Sequence, residues 1–99
     1  MSYKVRYTAE AREDLKRLFA FLAERDLRAA QQARKTIAES IKFLQLFPFT
    51  CRKALDDNPL LREMVISFGS TGYVALFEID DHETVTILAV RHQREDDYL

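Results

Sequence analysis

The sequence predicts an α+β domain: an N-terminal strand, then an antiparallel helix pair packed on a small antiparallel sheet, in the order β-α-α-β-β-β. Three observations carry this. Tyr73–Ile79 and Val85–Val90 are two β-branched, aromatic and aliphatic runs flanking the polar Asp80-Asp81-His82-Glu83, the pattern of a hairpin. Before them, apolar residues recur at three- and four-residue steps over two consecutive stretches, the period of amphipathic helices. No glycine occurs before Gly69, so the helical half is uninterrupted.

Each element has a local reason. Tyr3, Val5 and Tyr7 alternate with Lys4 and Arg6, the period of a half-buried strand that must add at an edge or pair with a neighbour. Thr8 is placed to cap a first helix running to about Asp26, with Glu10 in the first turn where the dipole favours an acid. Leu15, Leu18, Phe19 and Leu22 form its apolar stripe. A corner at Arg25-Asp26-Leu27 leads to a second helix, Arg28 to Phe47, whose Ala30, Ala33, Ile37, Ile41 and Leu44 again share a face. Pro48 stops it and pushes Phe47 out of helical geometry. Pro48 to Pro59 reads as the longest irregular segment, followed by a strand over Leu60–Phe68 and a turn at Gly69–Gly72.

The 99 residues make one domain, 1–99, able to bury a single modest core. No apolar run approaches the ~20 residues of a membrane span. The opening MSYKVRYTAEARED lacks the apolar stretch of a secretory leader, and a single cysteine excludes an internal disulfide or a cysteine metal cluster. A reducing cytoplasm is the expectation. The net charge of −1 conceals a division. Through Leu55 there are twelve Lys and Arg against six Asp and Glu; from Asp56 onward there are three against ten. A basic helical half suits an acidic partner.

Neither a phosphate-binding glycine loop nor a zinc spacing nor a Ser-His-Asp signature is present, and no cofactor is expected. His82 falls in the hairpin turn, and Cys51 has no evident activating neighbour. The residues that invite a functional reading are Arg52, Lys53, Arg62, Arg91, His92, Arg94 and Tyr98. The last strand ends in Arg91-His92-Gln93-Arg94, which it would deliver together to the rim of the sheet. One reading is an RNA-cleaving site. Arg91 or Arg94 would steady the phosphorane, and His92 or Tyr98 would move the 2′-hydroxyl proton. The other is a docking surface that breaks no bond. Against the nuclease stand the acids Glu95, Asp96 and Asp97 directly after the cluster and the pI near 6.1. Phe21, Phe43, Phe47 and Phe49 supply more aromatic surface than so small a core needs and are candidate partner anchors.

In the order YKVRYTAEAREDL, LREM, GYVALFEID and VTILAVRHQRED, over nearly its whole length, the chain resembles the RelE/ParE superfamily of bacterial toxins, within it the ParE, plasmid-stabilisation branch. The resemblance implies a toxin of a type II toxin–antitoxin module, silenced by a cognate ParD-like antitoxin in a hetero-oligomer. It implies DNA gyrase as the target, blocked by binding, with no catalytic residue in this chain and no direct sequence-specific nucleic-acid binding. The alternative that it leaves open is a ribosome-dependent messenger-RNA endonuclease of the RelE type. On either target, Arg52, Lys53, Arg62, Arg91, His92, Arg94 and Tyr98 are the expected contact residues; on the antitoxin side they are Phe21, Phe43, Phe47 and Phe49.

Overall fold

The computed structural model describes residues 2–94. Strand β1 (Lys4–Tyr7) leads into helices α1 (Ala9–Ala23) and α2 (Leu27–Phe43). A single 3₁₀ turn, Pro48–Thr50, precedes β2 (Arg52–Leu55), β3 (Asn58–Phe68), β4 (Thr71–Ile79) and β5 (Thr84–His92). The strands form one five-stranded sheet in the order β1-β5-β4-β3-β2. Helices cover one face through Leu18, Ala33, Ile37, Ile41 and Leu44, packed on Met64, Ile66, Tyr73, Phe77, Val85, Ile87 and Val90.

Two expectations are corrected. The sheet is mixed, because β1 pairs parallel with β5 in the register Lys4↔Thr84 to Tyr7↔Ile87. The helix pair carries the chain across one face and back, so the first strand closes the sheet beside the last. The segment after Pro48 is not irregular throughout: Arg52↔Glu63 and Lys53↔Arg62 pair as a short antiparallel ribbon. Four residues, two of them charged, carry no detectable period, and only the partner strand makes them a strand.

Helix boundaries follow from caps. The Thr8 hydroxyl accepts from the Ala11 N–H at 3.0 Å and opens α1. Asp26, expected in a corner, caps α2 by accepting from the Ala29 N–H at 3.1 Å, so α2 begins at Leu27 and α1 ends at Ala23. α2 ends at Phe43, short of Pro48, in a tightened turn where the Leu44, Gln45 and Leu46 N–H groups bond the Ile41, Lys42 and Phe43 carbonyls.

Strand β5 contains an irregularity that the rest of the molecule depends on. Phe77 lies opposite Ile87, but Leu76 lies opposite Ala89, so Leu88 is an extra residue. Val85, Ile87 and Val90 therefore all reach the helix-covered core, although the last step is three residues rather than two. Helix α1 satisfies the displaced backbone. Thr8 N–H bonds the Ile87 carbonyl at 3.0 Å, its hydroxyl donates to the Leu88 carbonyl at 3.1 Å, and Asp14 Oδ2 accepts the Val90 N–H at 2.9 Å.

Leu18, nearly buried at 7% exposure, is the deepest apolar side chain of the α1 stripe. Leu18→Ala is expected to cost about 2–5 kcal/mol in chemical denaturation; less than half a kcal/mol would place it outside the core. Asp14→Ala leaves the Val90 N–H without its acceptor and is expected to cost about 1–3 kcal/mol in the same assay. Gly72→Ala should also destabilise, because a Cβ there would collide with the Ile66 carbonyl across the β3–β4 pair.

Candidate functional site

The bulge at Leu88 decides which way the end of β5 points. An unbroken alternation from Ile87 would send Arg91 toward the helices and His92 away from them. One extra residue reverses both. Arg91 lies opposite Val74 and so on the sheet face without helices, while His92 lies opposite Tyr73, a member of the helix-side core. The single rim cluster expected from Arg91-His92-Gln93-Arg94 is thus split between two faces.

His92 is seated by three neighbours. Its Nε2 lies 3.1 Å from the Thr71 hydroxyl, its Nδ1 accepts the Arg94 N–H at 3.1 Å, and its ring meets Tyr73 edge-on at 5.6 Å between centroids. An accepting Nδ1 requires the neutral Nε2–H tautomer, with that N–H donated to Thr71. Arg91 Nη1 donates to the carbonyls of His92 and Gln93 at 3.3 and 3.4 Å. Arg94 is exposed in the turn that follows β5. Tyr98, with Glu95, Asp96 and Asp97, lies outside the described residues.

The other candidate cations do not converge on Arg91. Arg52 Nε meets Glu63 Oε1 at 3.1 Å across the β2–β3 pair. Lys53 and Arg62 are opposite one another on the other face of that ribbon, with Lys53 exposed. Arg62 holds backbone: Nε donates to the Pro59 carbonyl at 2.6 Å, and Nη1 to the Cys51 and Phe49 carbonyls at 2.8 and 3.2 Å. Its guanidinium also stands 5.3 Å from the Phe49 ring. Burial pushes the Cys51 thiol above its ordinary pKa, with Arg62 pulling weakly the other way. Among the described residues, no three His, Cys, Asp or Glu side chains are grouped as metal ligands.

None of the four candidate phenylalanines is in the core; Phe21, Phe43, Phe47 and Phe49 are 57%, 46%, 50% and 51% exposed. They do not form one patch. Phe43 and Phe47 stack obliquely at 5.3 Å beyond the end of α2, with Phe49 in the next turn. Phe21 belongs to the other end of the helix pair, about 25 Å away by helix rise, where the Arg25 guanidinium covers its ring at 3.9 Å.

The helix pair opens an apolar groove of about 560 Å³ that single-stripe reasoning missed. Leu15, Phe19, Leu22, Ala30 and Ala38 line it, and Arg12, Lys16 and Arg34 stand at its margins. Small residues on α2 leave the gap, so Leu15, Phe19 and Leu22 are only half-buried. The signal was present as Ala29, Ala30, Ala33 and Ala38, but it reads equally as close helix packing. Tyr7 and Tyr73 lie at the base, their phenol pKa values raised by burial, with Arg12 partly opposing this at Tyr7.

The comparisons with known proteins agree with this architecture. The family model described as the ParE toxin of the type II toxin-antitoxin system parDE matches residues 5–97. The chain belongs to that family of toxins. Its fold is similar to a chain of the chromosomal ParDE toxin–antitoxin system from P. aeruginosa, with a TM-score of 0.73 at 18% identity, covering 92% of this chain and 96% of that one. It is also similar to a chain of the toxin–antitoxin complex RelBE2 from Mycobacterium tuberculosis, with a TM-score of 0.58 at 28% identity over 94% of this chain and 100% of that one. No curated protein sequence matches significantly.

Two outcomes test this geometry. Arg62→Ala should destabilise by about 2–3 kcal/mol through lost bonds from a charged donor, with faster amide exchange confined to the Pro48–Cys51 turn. Iodoacetamide should alkylate Cys51 slowly near neutral pH, the rate still climbing above the pH at which an ordinary thiol levels off, because the folded-state thiol stays protonated longer.

Proposed function

We propose that this chain is the toxin of a toxin–antitoxin pair, that it arrests growth by binding DNA gyrase without catalysis, and that a ParD-like antitoxin silences it. The observation that carries the non-catalytic reading is the separation of the candidate catalytic groups. Cleavage of RNA requires cations and a proton acceptor aimed at one phosphate. Here Arg52 is paired with Glu63, Arg62 is occupied with three backbone carbonyls, and His92 faces away from Arg91. On the helix-free face Arg91, half-buried and itself bonded to the His92 and Gln93 carbonyls, lies beside Val74, with Leu76 and the exposed Val65 nearby, a mixed arginine and apolar composition suited to docking on a protein.

The groove supports the antitoxin. It is apolar at its base, with Arg12, Lys16 and Arg34 among its lining residues, and those residues span about three helical turns of each helix, the complement of a short acidic amphipathic helix. Phe21, Phe43, Phe47 and Phe49 are further contacts on the same helix pair. The two solved structures described above carry titles naming toxin–antitoxin systems, which supports a hetero-oligomer; the cytoplasm is its proposed location. Likeness to the RelBE2 complex keeps one second reading: a RelE-type ribonuclease using Arg91 or Arg94 with His92 or Tyr98.

Induction without the antitoxin separates the two. Filamentation, a DNA-damage response and inhibition of gyrase supercoiling by purified protein are expected, with Arg91→Ala weakening inhibition by about tenfold or more. Cleaved messenger RNA with normal supercoiling would overturn the gyrase reading. Lys16→Glu with Arg34→Glu should lower antitoxin affinity by on the order of tenfold or more and flatten its salt dependence; unchanged affinity would remove the groove from the interface.

A further inference from the structure

The base of the apolar groove holds a donor without an acceptor. Tyr73 is 3% exposed and lines the groove, yet its hydroxyl makes no hydrogen bond among the described residues. A buried phenol ordinarily finds a partner, because an unmade bond costs the desolvation of its O–H. Tyr7, partly buried at the same base, has a hydroxyl that is equally unpartnered there. Burial raises both pKa values, so near neutral pH each phenol keeps the proton that it donates.

Register places the two tyrosines at different points along the groove. Tyr7 lies opposite Ile87 and Tyr73 opposite His92, on either side of β5. With the bulge counted, the two levels are about 13 Å apart along the strand. Helix α1 runs beside β5 in the same direction, bonded at Leu88 through Thr8 and at Val90 through Asp14, so the groove follows that axis. At the Tyr7 end the Arg12 guanidinium stands 5.7 Å from the Tyr7 ring, and Arg34 reaches across from α2 to Phe19 at 5.6 Å. Neither arginine is in an ion pair among the described residues, and no Asp or Glu lines the groove. Apart from Arg12, Lys16, Arg34 and the two phenols, every lining side chain is apolar.

We propose that this groove is a binding site for a medium-chain fatty acid oxygenated at its far end, and that this small molecule and the antitoxin helix exclude one another. The exclusion rests on the antitoxin reading above; the site does not. The carboxylate accepts from the Arg12 guanidinium and the Tyr7 hydroxyl, and the charge on both sides strengthens the first of these bonds. The terminal oxygen accepts from Tyr73. An extended chain advances about 3.3–3.6 Å per three bonds, so about eleven bonds span the distance, the length of a twelve-carbon ω-hydroxy acid. The cavity of about 560 Å³ falls within the roughly 300–1,000 Å³ of small-molecule sites. A helix, about 10–12 Å across with its side chains, covers such a groove from above, whereas a single acyl chain enters to the depth of Tyr73.

Calorimetric titration of the purified chain with sodium 12-hydroxydodecanoate, kept below its micelle threshold, tests the site. One saturable site is expected, with dodecanoate, which lacks the terminal oxygen, binding about tenfold more weakly. Dodecane-1,12-diol, which lacks the charge, should bind weaker by on the order of tenfold or more. Tyr73→Phe removes an unpartnered hydroxyl and should leave the melting temperature near its original value; it is expected to erase the preference for the hydroxy acid while dodecanoate binds as before. Arg12→Gln should weaken both acids about tenfold and leave the diol unchanged. No saturable binding, equal affinity for the acid and the diol, or a preference that survives Tyr73→Phe overturns the proposal. The purified full-length product of the neighbouring reading frame then tests the exclusion: its apparent affinity is expected to fall in proportion to added hydroxy acid. Simultaneous binding of the two overturns the exclusion and leaves the antitoxin reading standing. Failure of that product to bind the chain at all overturns the antitoxin reading and the exclusion with it, whereas the titration still decides the site.

Discussion

The grip of α1 on the bulge of β5 is the interaction on which this molecule turns. One hydroxyl, Thr8 Oγ1, accepts from Ala11 to open the helix and donates to Leu88 to hold the extra residue. Asp14 completes the hold two turns later at Val90. A bulge leaves ladder groups unpaired, and unpaired groups beside a core are costly. Here the adjacent helix supplies the missing partners, so the cost of the extra residue is offset by groups that also place α1 on the sheet.

That arrangement propagates in two directions. Toward the N-terminus it docks the start of α1 against the parallel β1–β5 pair, which closes the sheet. Toward the C-terminus it inverts the parity of β5. Arg91 is turned to the open face and His92 is laid between Thr71 and Tyr73, where its neutral tautomer shapes the turn at Arg94. A shift of one residue in a strand thus separates a contiguous basic run into an outward arginine and an inward, fully engaged histidine.

The helix pair shows a second constraint. Alanines on α2 prevent the two helices from filling the space between them, and the apolar stripe of α1 is left half-open as a groove. Arginines stand over the aromatic rings at and beside this surface, Arg12 over Tyr7 at 5.7 Å and Arg34 over Phe19 at 5.6 Å. Their stems cover apolar surface while their charges stay in water. The same arrangement recurs at Phe21 and Phe49, so a molecule with ample exposed aromatic area presents much of it beneath guanidinium groups.

Period and punctuation alone determined most of the scaffold. Three- and four-residue spacing placed Ile37, Ile41 and Leu44 in the core, alternation placed Tyr3, Val5 and Tyr7 on one side of a strand, and Thr8 announced a helix start. Those signals are local, and local geometry suffices to read them. Four features were decided only by tertiary structure: the parallel pairing of β1, the existence of β2, the bulge at Leu88 and the occupation of Arg62 by backbone carbonyls. The parallel pairing and the bulge depend on partners distant in the chain, and β2 and the seat of Arg62 on how the short Arg52–Asn58 hairpin and the Pro48–Cys51 turn fold against β3. The run Val85–Val90 is apolar at almost every position, so alternation is invisible there and nothing local marks Leu88 as the extra residue. Arg52, Lys53 and Arg62 read as three cations of one kind. Whether an arginine meets a phosphate, a glutamate or a carbonyl depends on what the fold brings within 3 Å of it, and residue type carries no record of that.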